Sequence, residues 1–289
     1  MKITRPILLA LTFAIAGSTL AAAQEMSGPP KVLLIQREFI KPGKSGAIHD
    51  RSEANFVQAL TRAKWPTHYL ALNSLSGKSR ALFLTGYPSF EAVQKDNDSM
   101  EKDPVLGPEL DKLMALDGEL LDSTDQFVLY YDADTSYRPE SDLSHARYLE
   151  VSSYVVKPGH DHDWGEIAKM VIAAHQKAGT SAHWATYEMA YGGGDEYVIL
   201  SSDKSMADID QGFAEGKQFE AAMGEDGMKK LHDLIASTIE SSDSQLFAFN
   251  PRQSYAPEDW IKADPEFWKP KPMAAPAAKP AAPAKPANP

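Results

Sequence analysis

The chain of 289 residues contains no cysteine. Disulfide bonds and cysteine nucleophiles are therefore excluded, and the fold is held together without disulfides. Between a leader and a tail described below, about 245 residues remain to fold. That length can bury a sizeable core without covalent staples, as one large domain or two small ones.

Long hydrophobic runs are also scarce. The chain opens with Lys2 and Arg5, continues with a mostly apolar stretch from Ile7 to Leu20, and then carries three alanines, residues 21–23. This stretch is too short to span a bilayer and ends in a small-residue cleavage pattern. We predict a signal peptide over residues 1–23, with an uncleaved anchor as the alternative. No transmembrane segment is expected elsewhere, and the predicted location is periplasmic or secreted.

Basic residues are few relative to acidic ones. The chain has 29 lysines and arginines against 40 aspartates and glutamates, for a net charge of −11. Without the basic residues of the leader and tail, 23 remain against the same 40 acids, so the body is near −17. Such a surface repels phosphate backbones, and nucleic acid is excluded as an expected partner.

Acidic residues are absent from the last segment, residues 269–289. It reads KPKPMAAPAAKPAAPAKPANP and holds 7 of the 20 prolines. Such a composition cannot bury a core and is typical of an extended, disordered segment. A spacer and a weakly cationic arm that touches an anionic envelope surface are the functional alternatives.

The body carries a weak internal duplication at an offset of 116 residues. The stretch REFIKPGKSG (residues 37–46) and the stretch VVKPGHDHDW (residues 155–164) share Lys-Pro-Gly. Between Lys31 and Asp96 the shift aligns turn residues and apolar runs without a gap. Seven pairs are identical: Leu33, Lys41, Pro42, Gly43, Gly77, Leu84, Ser89 and their partners. A second echo, SYRPE (136–140) and SYAPE (254–258), has offset 118, which a two-residue insertion would explain.

Each unit has the pattern of a βαββαβ fold. A strand (32–40; 148–156) ends at Lys-Pro-Gly, and a helix follows (46–63; 162–178). Two strands joined by a glycine-containing turn come next, then a second helical region and a closing strand. We predict an α+β fold of two ferredoxin-like repeats, residues 24–140 and 141–268, whose antiparallel sheets pack into an intramolecular barrel.

This arrangement resembles the dimeric α+β barrel superfamily in a tandem, single-chain form. A strand that ends in Lys-Pro-Gly before a long helix is similar to the opening of its NIPSNAP-like and antibiotic-biosynthesis-monooxygenase-like families. The resemblance covers about residues 31–250. It implies the fold, and it implies chemistry of the kind found in cofactor-free monooxygenases or haem-linked oxidative enzymes. No residues match a specific catalytic set of those families, so the cofactor cannot be named.

The run His160-Asp161-His162-Asp163 raises the question of a metal site. A metal needs three or four converging ligands, whereas this run supplies a pair of histidines without a distant partner identifiable by spacing. Its position at the start of a helix instead favours capping by Asp161 or Asp163 and a favourable interaction with the helix dipole. We therefore predict no metal site.

Candidate site residues follow from strand alternation. Glu150, Ser152 and Tyr154 share one face, as Leu34, Gln36 and Glu38 do in the first unit. Such a polar face either lines a wet pocket or is exposed or hydrogen-bonded between the units. In AHWATYEMAY (182–191), His183 and Tyr187 are assigned to one face and Trp184 to the other. The predicted catalytic residues are His183, Tyr154 and Tyr187, and the predicted ligand-binding residues are Trp184, Glu150, His68 and His175.

Packed core residues are the plain alternative for these side chains, His175 above all, because it lies on the apolar stripe of its helix. The sequence has no G-x-S-x-G elbow, and its three glycines at 192–194 lie in a hairpin rather than before a helix. We expect an exported small-molecule-binding protein, either an oxidative enzyme or a non-catalytic binding or envelope-associated protein. A pocket of converging His, Tyr and Glu would favour the enzyme, and a barrel filled by side chains the second.

Overall fold

A computed structural model describes residues 28–139 and 142–269. The first half of the fold comprises β1 (Val32–Ile40), α1 (Ala47–Ala63), β2 (Leu70–Ser74), β3 (Arg80–Tyr87), α2 (Phe90–Lys102), α3 (Leu106–Asp117) and β4 (Leu121–Tyr137). The second half comprises β5 (Tyr148–Val156), α4 (Asp161–Ala178), β6 (Trp184–Tyr191), β7 (Glu196–Asp203), α5 (Met206–Thr238) and β8 (Ile239–Phe249). Two short helices follow, α6 (Glu258–Ala263) and α7 (Pro265–Trp268).

The eight strands form one closed antiparallel barrel in the order β1-β3-β2-β8-β5-β7-β6-β4. Each half contributes a four-stranded ferredoxin-like sheet, with its first strand between its third and fourth strands. The pairs β2–β8 and β4–β6 join the two sheets, so neither half keeps a free edge there. The predicted fold class is confirmed.

The two halves match in detail. Strands β1 and β5, and likewise β3 and β7, begin and end 116 residues apart. Both first strands shift register at their last residue, where Ile40 pairs with Leu121 and Val156 pairs with Ile239. Ser89 and Ser205 precede α2 and α5, and each side chain caps its helix. The similar stretches SYRPE (136–140) and SYAPE (254–258), near the end of each half, also make similar contacts in the structure. Ser136 and Ser254 accept a bond from the backbone of the neighbouring strand and donate one four residues back.

One element differs between the halves. The first half has α2 and α3 as separate helices, whereas α5 spans 33 residues with a kink at Gly224. At offset 118, Gly224 corresponds to Leu106, the first residue of α3. Ser89 and Ser205 are 116 residues apart, whereas Leu121 and Ile239, which pair with the last residues of β1 and β5, are 118 apart. The predicted two-residue insertion therefore lies between Ser205 and Ile239, within α5.

The interior of the barrel is filled by side chains from both halves. Leu72, Leu129, Tyr187 and Phe247 are almost wholly buried there. Helices α6 and α7, which the sequence pattern did not predict, pack their aromatic residues against the same core. Trp268 donates from Nε1 to the Ser144 carbonyl over 2.7 Å, and Asp264 pairs with Arg147. The core thus leaves any ligand site to the outer face of the sheet.

Helices cover the outer face of each sheet. In the first half Leu60, Trp65 and Leu106 pack between α1 and α3. In the second half Val156, Trp164 and Tyr197 pack beneath α4. No helix in residues 28–139 and 142–269 is long and apolar enough to cross a membrane. The predicted signal peptide (1–23) and all but the first residue of the predicted tail lie outside the described residues.

Candidate functional site

A cleft of about 800 Å³ opens in the second half, between the outer face of β5 and β7 and the helices α4 and α5. We call it the cleft below. The first turns of α5 contribute Gly212 and Gly216 to the lining, and these glycines have no side chain that would fill the cleft. Five predicted site residues line it: Glu150, Tyr154, His175, His183 and Trp184. The structure therefore brings together residues that the sequence places on three different elements.

One wall of the cleft is aromatic. The ring of His175 on α4 lies 4.7 Å from that of Phe219 on α5 and 5.6 Å from that of Trp184, between ring centroids. Its Nδ1 is 2.8 Å from the Thr180 hydroxyl, which fixes the ring in place. Burial lowers the pKa of His175, while the negative charge of Glu215 opposes that effect. This wall suits a flat, apolar ring.

The opposite wall is polar and anionic. Glu150 on β5 pairs with Ser201 on β7, so Asp203 lies one step further on the same face. Burial, then the nearby charge of Glu150, raises the pKa of Asp203 to about 6, although His183 acts in the other direction. A carboxyl group that titrates near neutral pH can either take or give a proton during a reaction.

His183 is held by backbone carbonyls. Its Nε2 is 2.8 Å from the Ser202 oxygen, and its Nδ1 is 3.2 Å from the Ser181 oxygen. A neutral imidazole can donate to only one of them. Ser201 also donates its hydroxyl hydrogen to the His183 carbonyl over 2.7 Å. His183 is therefore fixed beside Asp203 by the ends of β6 and β7.

The cleft does not fit a haem. Five carboxylates line it, Asp142, Glu150, Asp203, Asp208 and Glu215, and among the described lining residues Lys204 is the only lysine or arginine. The propionates of a haem are anionic, and such a lining repels them. Of the histidines in the cleft, His183 already has both ring nitrogens on carbonyl oxygens, which leaves it poorly placed as an axial ligand.

The remaining predicted residues lie elsewhere. Tyr187 is buried inside the barrel, where its ring meets that of Tyr131 at 5.6 Å. The assignment of His183 and Tyr187 to one strand face fails, because β6 begins only at Trp184 and His183 belongs to the preceding loop. His68 is in the first half, stacked on Tyr255 at 4.4 Å. Burial lowers its pKa, and its Nδ1 faces the Tyr255 carbonyl.

The predicted cap of α4 is wrong in its detail. His160, and not an aspartate, is the N-cap residue, and its side chain makes no capping bond. Its Nδ1 instead contacts Asp163 at 2.8 Å. Asp161 and Asp163 do lie in the first turn, where their charge favours the helix dipole.

A second polar site lies in the first half, between β1 and the helices α1 and α3. We call Glu38, His49, Glu53 and Asp117 the buried polar cluster. One ligand atom from each of these residues lies within 4.8 Å of the others, and all four residues are buried. From His49 Nε2 the distances are 3.1 Å to Glu38, 3.6 Å to Glu53 and 3.8 Å to Asp117.

Burial dominates the electrostatics of this cluster. It is the main reason why the pKa of Glu53 lies well above its usual value, with the charges of Glu38 and Asp117 adding to the effect. Burial raises the pKa of the neighbouring Tyr69 as well, followed by the charges of Glu53 and Glu38. On the far side of the imidazole, His49 Nδ1 faces the amide of Gln253 at 3.1 Å.

Two features of the sequence point to this cluster, although the prediction of metal sites from His and Asp spacing did not include them. Glu38 is on the polar strand face, and His49 and Glu53 are four residues apart on one helix, which places them on the same side. Asp117 comes from far along the chain, and only the packing of α3 brings it to the others. The prediction of metal sites considered only the run that contains His160 and His162, and it therefore missed this cluster.

Comparisons with known proteins indicate a fold rather than an activity. No known family's sequence profile and no curated protein sequence matches the chain. A solved structure of a proposed monooxygenase from Fusobacterium nucleatum has a TM-score of 0.50 at 11% identity, over 78% of this chain and 94% of that one. A chlorite dismutase mutant from Candidatus Nitrospira defluvii has a TM-score of 0.47 at 10% identity, over 81% and 95%.

A NIPSNAP family protein of unknown function from Agrobacterium tumefaciens covers 36% of this chain and 88% of its own, with a TM-score of 0.26 at 14% identity. At these identities the comparisons concern the fold alone. The closed barrel of two ferredoxin-like halves is the dimeric α+β barrel fold in a single chain, as the sequence predicted.

Proposed function

We propose that this chain is an exported protein that binds a small aromatic molecule in the cleft and acts on it as an oxidative enzyme without a haem. The observation that carries the proposal is the cleft itself, where an aromatic wall faces a carboxyl group whose pKa is about 6. Export is proposed from the basic lead, the apolar stretch and the alanines of residues 1–23.

The geometry supports a flat and uncharged or cationic ligand. Trp184 and Phe219 offer ring faces, whereas Glu150 and Asp203 oppose a negatively charged group. A phenol or hydroquinone meets both requirements while it keeps its proton. Asp203 in its ionised form would take that proton as the ligand gives its electrons to molecular oxygen, so that no phenolate accumulates beside Glu150.

A non-catalytic binding or envelope-associated protein is the second candidate, and one observation favours it. The barrel is filled by side chains such as Leu72 and Phe247, which sequence reasoning associates with a structural role. Binding without turnover would support this candidate.

Ligand binding by the purified mature chain is the first test, with 1-naphthol as the probe and calorimetry as the readout. We expect binding in the wild type and at least about tenfold weaker binding in Phe219→Ala, since one aromatic wall is lost. Phe90→Ala is the matched control, because Phe90 is a partly exposed aromatic residue outside the cleft. Wild-type affinity in Phe219→Ala would refute the site.

Turnover separates the two candidates. The same preparation is given hydroquinones under air, and oxygen consumption is followed. If the chain is an enzyme, Asp203→Asn binds the probe as the wild type does but loses turnover, because the proton acceptor is gone. No turnover by the wild type would leave the non-catalytic binding protein. Native mass spectrometry of protein purified from its own periplasm would identify a ligand carried from the cell and would test export as well.

A further inference from the structure

The buried polar cluster has a composition that burial makes unfavourable. Three carboxylates, Glu38, Glu53 and Asp117, surround one imidazole in a place from which water is almost excluded. Buried charges normally persist only when they are paired or bound to a cation. Among the described residues, Glu38 accepts a hydrogen bond from the Gln36 amide over 2.8 Å and faces His49 at 3.1 Å, and the imidazole is the one cationic group that can pair with the carboxylates. One imidazole cannot neutralise three ionised carboxylates, so either a proton on Glu53, whose pKa is raised, or a bound cation must offset their charge.

Oxygens without a partner point into the middle of the cluster. Glu53 Oε1 and Asp117 Oδ1 are buried and make no hydrogen bond within the described part of the chain. The same two atoms are those that face His49 Nε2, at 3.6 and 3.8 Å. The side chains of Glu53 and Asp117 are 6% and 4% exposed, so solvent cannot supply the missing partner.

Three of the spacings among the four atoms, those from His49 Nε2, are close to the spacings around a small metal ion. In a tetrahedral site with bonds of roughly 2.0–2.2 Å, neighbouring ligand atoms lie about 3.3–3.6 Å apart. The three distances from His49 Nε2 to the carboxylate oxygens are 3.1, 3.6 and 3.8 Å. Ca²⁺ needs more oxygen ligands at longer distances. One nitrogen and three oxygens suit a first-row divalent ion such as Zn²⁺ or Mn²⁺.

We propose that Glu38, His49, Glu53 and Asp117 bind one divalent first-row metal ion. Four protein ligands fill a tetrahedral shell, so the site is structural and leaves no open position for a substrate. It ties β1, α1 and the end of α3 together. It is independent of the activity proposed for the cleft, which lies in the other half.

Gln253 extends this connection to the second half. A metal on Nε2 leaves the proton of the imidazole on Nδ1, which then needs an acceptor. The Gln253 amide faces Nδ1, and its Oε1 is buried without a partner in the described structure. Rotation of the amide presents that oxygen to the ring, at the cost of the hydrogen bond that the amide Nε2 now donates to Asp50 Oδ1 over 3.0 Å. The segment after β8 would then support the metal ligand from outside the coordination shell.

The second half contains no counterpart of this cluster. At offset 116, Glu38, His49 and Glu53 correspond to Tyr154, Gly165 and Lys169. Ala81, which leaves room beside Glu38, corresponds to Tyr197, whose ring stacks on Trp164 at 4.7 Å. Where the first half brings carboxylates together, the second half is therefore packed with aromatic rings. A general need of the fold does not explain the cluster.

Metal content and thermal stability of the full mature chain test the proposal, with Zn²⁺ and Mn²⁺ added as the metals alone after chelation. We expect one ion per chain and a rise in Tm of about 5 °C or more when the metal is restored. Co²⁺ in the same site should show the intense visible absorption of a tetrahedral ion. Glu53→Gln keeps the shape but removes a ligand, so it should lose both responses while its metal-free Tm stays at or above that of the wild type.

His162 on α4 and His160 immediately before it provide the matched control. His160→Ala with His162→Ala removes a pair of histidines that could bind a metal at the surface, and this double variant should keep both responses. Asp117→Asn serves as a second ligand variant if Glu53→Gln does not fold. The proposal fails if the wild type binds no stoichiometric metal and its Tm ignores both ions. It also fails if the double variant loses the metal while Glu53→Gln keeps it.

Discussion

Asp203 shows how one carboxyl group acquires unusual properties from its neighbours. It ends β7, half-buried at the edge of the cleft, on the same sheet face as Glu150. Burial and the charge of Glu150 both disfavour its ionised form, and its pKa is about 6. Sequence alternation placed Glu150 on a polar face, but it gave no sign of Asp203. The shift depends on burial and on charges that the folded chain brings beside this group.

This shift has a consequence for stability. Because the pKa of Asp203 is about 6 in the folded chain and about 3.9 in an unfolded one, the folded state binds more protons between these values. The contribution of Asp203 to the free energy of unfolding is therefore lost as the pH rises from about 4 to about 6. We expect Asp203→Asn to be more stable than the wild type by ~1 kcal/mol at about pH 7.5 and equal to it at about pH 4, since solvent screens a half-exposed group.

Urea unfolding followed by circular dichroism at the two pH values measures this difference. Asp226→Asn is the control, because Asp226 is an exposed carboxylate on α5 away from the cleft. A stability difference for Asp203→Asn that is the same at both pH values would contradict the shifted pKa.

At the scale of elements, α5 and the pair α2–α3 show how one duplicated pattern gave two structures. Gly224 adopts φ 75° and ψ 167°, a conformation that only glycine takes readily. Sequence periodicity predicted a second helical region in each half but could not show that one residue of this region leaves the helical conformation. The backbone of Gly224 does so, and α5 is therefore kinked there.

Two alanine substitutions in α5 should therefore have opposite effects. We expect Gly224→Ala to destabilise the fold by about 1–3 kcal/mol, because alanine strains this backbone. Gly216→Ala lies in a regular turn of the helix with nothing within 4 Å of an added Cβ, and it should stabilise by about 0.5–1 kcal/mol. Chemical denaturation of both variants measures the contrast. A stable Gly224→Ala would indicate that α5 can run as an unbroken helix.

At the scale of the whole molecule, the barrel depends on both halves. The strand pairs β2–β8 and β4–β6 close it, and its core contains Leu72 and Leu129 from one half and Tyr187 and Phe247 from the other. Either half by itself would expose that core and two strand edges. The fold is therefore one cooperative unit, although its sequence reads as two repeats.

Separate expression of the predicted repeats, residues 24–140 and 141–268, tests this dependence. We expect each fragment alone to lack a cooperative thermal transition or to pair with itself, because its sheet has no cover. An equimolar mixture should form a one-to-one complex that melts cooperatively. Circular dichroism melts and size-exclusion chromatography report both. A fragment that unfolds cooperatively as a monomer would show that the halves are independent domains.

The order of strands and helices was determined by the sequence itself. Lys-Pro-Gly after β1 and β5 and the serines before α2 and α5 are local signals, since turns and caps depend on residues near in the chain. The polar face of β5 was also visible, because side chains alternate along a strand. Only the tertiary structure decided which polar residues meet. The cleft forms only where α4 and α5 pack over β5 and β7. Asp117 reaches His49 only through the packing of α3. Contacts of this kind join distant segments, and they leave no periodic pattern in the sequence.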